Sequence, residues 1–391
     1  MKKGLILDLP LSEYQQRLNQ LIQQMDKEDL VAVIFTSDEN TYYFSGFRSI
    51  VWDSKVSTPG VLVITKEGDM AISTSKSGRA TAKATSCVED IRYYSQDSKY
   101  QTYAQSIADI IKEAGISKGR VGFEIGKGNK MHLHHQDREA LFLELKDFEI
   151  ADVSDAVWKV RGVKSALEIE RIRKCCEINI KGIEKGFESV REGMTELEVY
   201  RNILQEYFRL GAEHTLPLGL RAGKERYPQS NCPPSERPIG RGDIILVDGG
   251  PLYKGYYSDI IRQAVIGQPT DYQLEMFNVA RDACYKGIEA VKPGRPIKEV
   301  CKAVDDFMAK SKFADIYTGK NWVGHSIGVG VHEFPMLDMS NDLKLEPGMT
   351  FAIEPSLFQE GVGSLGIEEN ILVTENGCEI LTPSNSELKI L

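Results

Sequence analysis

Apolar positions in the first part of the chain follow two alternating periods. Leu11, Tyr14, Leu18, Leu21, Ile22 and Met25 recur at intervals that place them on one face of a helix. Leu30 to Phe35 is a short run rich in β-branched residues and reads as a buried strand. Residues 60–65, 70–73 and 121–125 read as further strands, with a helical segment over 103–114. Strands interleaved with helices predict an α/β domain built on a mixed sheet.

The pattern changes near residue 160, where Arg161-Gly-Val-Lys164 reads as a short polar break. Ser165-Ala-Leu-Glu168 then has the spacing of a capping box, in which Ser caps a first-turn N–H and Glu reaches back to the cap N–H. A long helix to about Val190 follows, and Thr195-Glu-Leu-Glu198 and Thr270-Asp-Tyr-Gln273 open two more helices in the same way. Gly211 is suited to end the first of these. Strand-like runs fall at 244–247, 260–266, 350–353 and 371–374. The expected division is therefore an α/β domain over 1–160 and an α+β domain over 161–391.

Composition adds exclusions. With 391 residues, 41% hydrophobic and 27% charged, the chain has enough apolar surface for two cores. A net charge of −9 and the lack of any basic run argue against nucleic acid or an anionic membrane as partner. No apolar run approaches the ~18 residues of a membrane span. The first ten residues begin like a leader, but Asp8 interrupts the apolar stretch and no small-residue cleavage site follows. The seven cysteines are odd in number and scattered without a CxxC pair, as expected for reduced thiols in a cytoplasmic protein.

Four segments carry candidate chemistry. In the first, a buried-looking strand runs into Asp248, a Gly-rich turn reverses the chain, and a second strand begins near Asp259. Two adjacent strands would bring these carboxylates together, and apposed carboxylates need a proton or a cation between them. Read singly, one Asp caps a turn and the other ends a surface strand. The second segment, Gly324-His-Ser-Ile-Gly-Val-Gly-Val-His332, holds two of the chain's six histidines. A neutral imidazole is a good ligand for a first-row metal, although either ring alone reads more simply as a hydrogen-bonded core histidine. The third and fourth put Glu354 after the apolar run Phe351-Ala-Ile and Glu368 before the run at 371–374. Acids entering apolar strands require a cation or hydrogen bonds. Four carboxylates balance two divalent cations, and a bridging hydroxide leaves about one negative charge, which suits an oxygen-rich binuclear centre with one nitrogen ligand.

These segments resemble the pita-bread metallopeptidases: prolidase, aminopeptidase P, methionine aminopeptidase and the related creatinase. The resemblance rests on an Asp, a second Asp eleven residues on, Gly-His-x-Ile-Gly, Glu-Pro, and Ile-Glu ahead of a Val-Thr strand, met here by Asp248, Asp259, His325, Glu354 and Glu368. Asn40-Thr-Tyr-Tyr-Phe-Ser-Gly-Phe47 resembles the creatinase/prolidase N-terminal domain. The resemblance implies a hydrolase with two divalent ions (Mn, Co, Zn or Fe) and those five residues as ligands. Asp248 would hold one ion, His325 and Glu354 the other, and Asp259 and Glu368 would bridge both. Glu354 would also be catalytic, shuttling a proton from a metal-bridging water to the leaving nitrogen. His332 would be catalytic and substrate-binding, donating to the substrate carbonyl. A homodimer and an Xaa-Pro peptide substrate are further implications.

Two positions depart from that pattern. Asn231 stands seventeen residues before Asp248, where prolidases and aminopeptidases P carry His, and Gly366 stands two before Glu368, where they carry Arg. Asn231 retains a hydrogen-bond donor for substrate but cannot relay a proton near pH 7. Losing the Arg weakens capture of a small carboxylate. The departures motivate an alternative substrate, a non-peptide C–N bond in a small amide, as in creatinase or ectoine hydrolase. Arg221, Lys224 and Arg226 are cations that can reach the pocket, but they read more simply as a solvated loop. His132-Leu-His-His135 could bind a metal adventitiously but reads more simply as a polar helix start or surface loop, His214 as a loop residue, and Trp322 as either pocket wall or core.

Overall fold

The computed structural model describes residues 1, 5–54, 57–215, 218–383 and 386–391. Lys2, Lys3 and Gly4 of the leader-like stretch lie outside them. The chain divides into two compact units, Met1–Arg161 and Gly162–Leu391.

In the first unit, strands β1 (Leu30–Phe35), β2 (Gly60–Thr65), β3 (Met70–Ser75), β4 (Asp90–Tyr94), β5 (Arg120–Phe123) and β6 (Glu149–Asp152) form one sheet in the order β4-β3-β2-β1-β5-β6. Its pairings are both parallel and antiparallel, as the interleaved pattern predicts. The inner strand β1 reads Leu-Val-Ala-Val-Ile-Phe because both faces are covered. Helices α1 (Leu11–Lys27), α2 (Asp38–Ser45), α3 (Val51–Ser54), α4 (Arg79–Thr85), α5 (Tyr103–Glu113), α6 (His135–Glu144) and α7 (Ser154–Gly162) complete this part of the chain. Strand β5 stops at Phe123, not at Ile125 as expected. The Glu124 carboxylate turns inward and accepts from Thr36 N at 2.6 Å, Ser37 N at 3.0 Å and Asn40 Nδ2 at 2.7 Å, securing the N-terminus of α2.

The second unit carries α8 (Ala166–Ser189), α9 (Glu196–Arg209), α10 (Asp271–Ala290) and α11 (Lys298–Met308). Ser165, Thr195 and Thr270 each form a reciprocal capping box with the residue three positions on, as their spacing predicts. Gly211 follows the last turn of α9. Short strands β7 (His214–Thr215), β10 (Pro251–Tyr253) and β11 (Tyr256–Tyr257) pair with one another. Strands β8 (Gly219–Ala222), β9 (Ile244–Gly249), β12 (Ile260–Val265) and β20 (Lys389–Ile390) form a sheet in the order β20-β12-β9-β8. A second sheet runs β14-β13-β15-β18-β19, from β13 (Trp322–Ser326), β14 (Glu333–Asp338), β15 (Thr350–Ile353), β18 (Glu369–Thr374) and β19 (Gly377–Ile380). Hairpin β16 (Ser356–Gln359) and β17 (Gly363–Gly366) completes the set.

Two cores follow. Ile178, Ile183 and Phe187 of α8 and Val199, Ile203 and Tyr207 of α9 pack with Ile245, Val247 and Ile260 from the first sheet. Met276, Phe277 and Ile288 of α10 and Val300 and Val304 of α11 pack with Phe351, Ile353, Ile371 and Val373 from the second. Among the described residues no helix is long and apolar enough to cross a membrane. All seven cysteines are free.

The break at 161–164 covers the end of α7 and the start of the link to α8, but its two charged residues are not solvated. Arg161 and Lys164 are both buried, because each finds acceptors inside: Arg161 donates to Asn40 Oδ1 at 2.6 Å and Lys164 to a carboxylate at 3.3 Å. The solvated-loop reading of Arg221 is overturned. Arg221 lies within β8, opposite Leu246, and is 6% exposed. Lys224 is exposed, and Arg226 pairs with the buried Glu196 at 3.1 Å.

Candidate metal centre

Asp248 sits inside β9, not after it, and pairs with Ile261 across the ladder to β12. Asp259 precedes Ile260 and therefore shares a sheet face with Ile261 and Asp248. The turn between them depends on Gly250, since a Cβ there would meet Ser258 O at 1.9 Å. On the second sheet His325 lies in β13 opposite Ala352, Glu354 follows β15, and Glu368 precedes β18. Gly324 permits this approach, because a Cβ on it would meet Ala352 O at 2.0 Å. The two sheets are joined at the site itself, where Glu368 N donates to Ile261 O at 3.3 Å. Glu354 and Glu368 flank the β16–β17 hairpin, whose Ser356–Gly366 pairing draws them together.

Three overlapping groups result: Asp248 with Asp259 and Glu368, His325 with Glu354 and Glu368, and Asp259 with His325 and His332. In each group one potential ligand atom per residue lies within 4.8 Å of the others. His325 Nε2 is 3.2 Å from Glu354 Oε1, 3.8 Å from Glu368 Oε1 and 4.0 Å from Asp259 Oδ2. Its Nδ1 lies 3.0 Å from Ser326 O, and since a carbonyl only accepts, Nδ1 carries a hydrogen. That leaves Nε2 facing the acids, the arrangement of a metal-binding imidazole.

These residues fit divalent cations on a direct observation. Asp259 Oδ1, His325 Nε2 and both Glu368 oxygens are buried with no hydrogen-bond partner among the described residues. Buried acceptors normally find donors, and carboxylates converging without them require a cation or a proton. Protonation is indeed favoured without a cation. Burial, then repulsion from Asp259 and Glu354, pushes Asp248 up to about 8. Burial and Glu354 raise Asp259 to about 6 against the pull of His325. Glu368 is raised well above the usual carboxylate range by burial and by the three neighbouring acids. Burial pulls His325 down, but Glu354 and Asp259 outweigh it and hold the ring above its ordinary value.

Metal uptake is therefore expected to expel protons. Calorimetric titration of Mn²⁺ at pH 6.5, in buffers of different ionisation enthalpy, should show apparent heats that scale with the buffer, and affinity should rise from pH 6 to 8. Heats independent of the buffer would contradict the protonated metal-free site.

His332 also reaches this centre, its ring edge-on to His325 with centroids 4.2 Å apart and Nε2 3.8 Å from Asp259 Oδ2. Its side chain is 62% exposed. Asn231 is exposed in a left-handed conformation, φ 52°, and its side chain makes no hydrogen bond among the described residues. Gly366 donates its N–H to Gln263 Oε1 at 3.0 Å, and a Cβ there would meet Pro355 O at 2.8 Å. Arg221 shares the Asp248 face of β8 and β9, donates from Nη2 to Ser364 Oγ at 3.4 Å, and has no partner for Nε and Nη1 among the described residues. Trp322 is 39% exposed and so is not core. His214 lies in β7, and His132, His134 and His135 form no metal-ligand cluster among the described residues.

Sequence reasoning missed the supports of Asp259. Asn370 Nδ2 donates to Asp259 O at 2.5 Å, while its Oδ1 accepts from Asp259 N at 3.1 Å and Ser258 Oγ at 3.0 Å. Asn179 Nδ2 in turn donates to Ser258 Oγ at 3.1 Å. The available signal was a polar residue, Asn370, inside an apolar strand, where it needs partners.

A metallopeptidase of the pita-bread class, with an N-terminal α/β domain, is what this fold and site define. The chain belongs to metallopeptidase family M24, whose sequence profile matches residues 170–375, while that of the creatinase/prolidase N-terminal domain matches 17–163. The Xaa-Pro dipeptidase of Pyrococcus furiosus is 28% identical over 375 residues, 95% of this chain and 99% of that protein. Similar solved structures include an Xaa-Pro dipeptidase from Bacillus anthracis, 27% identical with a TM-score of 0.85 over 97% of this chain and 100% of that one. The prolidase of Pyrococcus horikoshii OT3 is 28% identical with a TM-score of 0.81 over 95% of this chain and 99% of that one.

Proposed function

We propose that this protein is a peptidase of Xaa-Pro bonds that works with two divalent ions held by Asp248, Asp259, His325, Glu354 and Glu368. The observation that carries this reading is the convergence of buried, unpartnered acceptors from Asp259, His325 and Glu368. The relatives named Xaa-Pro dipeptidase, matched along nearly their whole length, favour a peptide over a small-metabolite substrate.

Two ions held there would supply an acidified water as the nucleophile at neutral pH. Glu354, more exposed than Glu368, would take up a proton at its carboxylate and deliver it to the leaving nitrogen. His332 would donate from its ring to the substrate carbonyl as negative charge develops on that oxygen. Asn231 would offer its amide N–H to the substrate without relaying a proton. A cytoplasmic homodimer belongs to the same reading, and light scattering checks the assembly.

The test is to load metal-free protein with Mn²⁺, Co²⁺ or Zn²⁺ and assay Xaa-Pro dipeptides and longer Xaa-Pro peptides. Turnover that appears with metal and disappears with chelator is expected, and a lack of metal-stimulated turnover on every peptide refutes the reading. His332→Ala should lower kcat by about 10²–10³-fold, the range for losing an oxyanion donor. Its metal content should stay that of the parent, by elemental analysis.

A further inference from the structure

The His332 ring has no hydrogen bond among the described residues, so the backbone that carries it decides where it points. That backbone is the loop 327–332 between β13 and β14, and one buried cation ties its two ends. Lys164 Nζ donates to Ser326 Oγ at 3.2 Å, to Glu333 Oε2 at 3.3 Å and to Gly162 O at 3.4 Å, using all three ammonium hydrogens. Both side chains of the Lys164–Glu333 pair are 1% exposed. Ser326 and Glu333 face each other in the β13–β14 ladder, one residue beyond His325 and His332 respectively. Glu333 Oε1 accepts from Gly330 N at 2.9 Å, so the carboxylate grips the loop's middle as well.

We propose that Lys164 is a positioning residue that acts through Glu333 and the loop to fix His332; this rests on the proposed role of His332 as donor to the substrate. Stability alone is a weak reason to retain such a pair, because burying both charges costs about as much as their attraction returns. The effect is directed to one histidine. His325 is held separately, by the pairing of β13 with β15 and by Ser326 Oγ donating to Thr350 O at 3.0 Å. Loss of Lys164 therefore frees His332 and leaves the metal ligands in place.

The test uses zinc-loaded protein carrying Lys164→Met, and Lys164→Met/Glu333→Gln, which leaves no unpaired buried charge. Metal content should equal the parent's, while the His332 ring signals, assigned with His332→Ala and labelled histidine, should broaden or split in NMR spectra. On Xaa-Pro peptides kcat should fall by about 10²-fold, the effect of roughly 1 Å of misplacement. Combined with His332→Ala, the Lys164 change should cost almost nothing more. Additive losses, unchanged His332 signals, loss of metal, or failure of both variants to fold would each overturn the assignment. If the parent hydrolyses no peptide, the function reading falls, and the NMR comparison alone still decides the positioning role.

Discussion

Glu368→Gln is expected to lower hydrolysis about 10³-fold and, in the same protein, to raise the stability of the metal-free form. Glu368 is 1% exposed and neither of its oxygens has a partner among the described residues. Asp259, Glu354 and Asp248 all repel its charge. A glutamine removes that repulsion, and its amide can donate to Asp259 Oδ1, which also lacks a partner. The sign follows from proton linkage. A carboxyl raised in the folded state binds its proton more tightly there than in the unfolded chain, so its stabilisation is present at low pH and lost as pH rises. The gain should therefore be small at pH 5 and largest above pH 8, where Asp248, itself raised to about 8, is also ionised. Calorimetry in chelator reads it as a rise in Tm, at about 2–4 °C per kcal/mol for a domain of this size. In the proposed function Glu368 is a metal ligand, and losing it should remove several kcal/mol of transition-state stabilisation, about 10³-fold in kcat/KM. A variant that keeps its activity, or melts lower than the parent at pH 8 in chelator, contradicts this account. Such a gain is the expected sign of a site whose acids are arranged for binding at a cost in stability.

Arg262→Met is expected to be the most destabilising single change near the site, at about 3–5 kcal/mol, the range for breaking a buried ion pair from one side. Arg262 Nη2 donates to Glu369 Oε2 at 2.8 Å and to Thr382 O at 3.2 Å, while Nη1 donates to Glu368 O at 2.6 Å and to Ile261 O at 3.0 Å. Glu369 is 1% exposed, and burial already raises its pKa against the pull of Arg262. Without the guanidinium, a charged carboxylate and three carbonyls each lose a donor together. Because Arg262 holds the backbone of Glu368, metal affinity should fall as well. Urea unfolding checks the first effect and calorimetric titration the second. Arg262→Met/Glu369→Leu should recover much of the stability, since no buried charge is then left unpaired. An equal loss in that double variant would place the effect in packing.

The elements were readable where the signal is local. The three capping boxes each lie within four residues, and β1 announces its burial by an unbroken apolar run. The four candidate acids were readable for a different reason: carboxylates beside apolar strands require something to balance them. Residues whose partners lie far along the chain were not readable. Arg221 looked like loop charge because its acceptor, Ser364, is 143 residues away. Lys164 looked like a polar break because Glu333 is 169 residues away, and Asn370 reaches Asp259 across 111.

The sequence by itself determined which side chains are candidates for a metal and which strands lie beside them, because residue type and hydrophobic period are local properties. Only the tertiary structure decided that Asp259, Glu368 and His325 converge with acceptors unpartnered, that His332 stands beside them in the open, and that Lys164, Arg221 and Arg262 are buried cations around the site. The physical reason is that desolvation and Coulomb energy depend on distance and burial, and neither is set until the two sheets meet at Glu368 and Ile261.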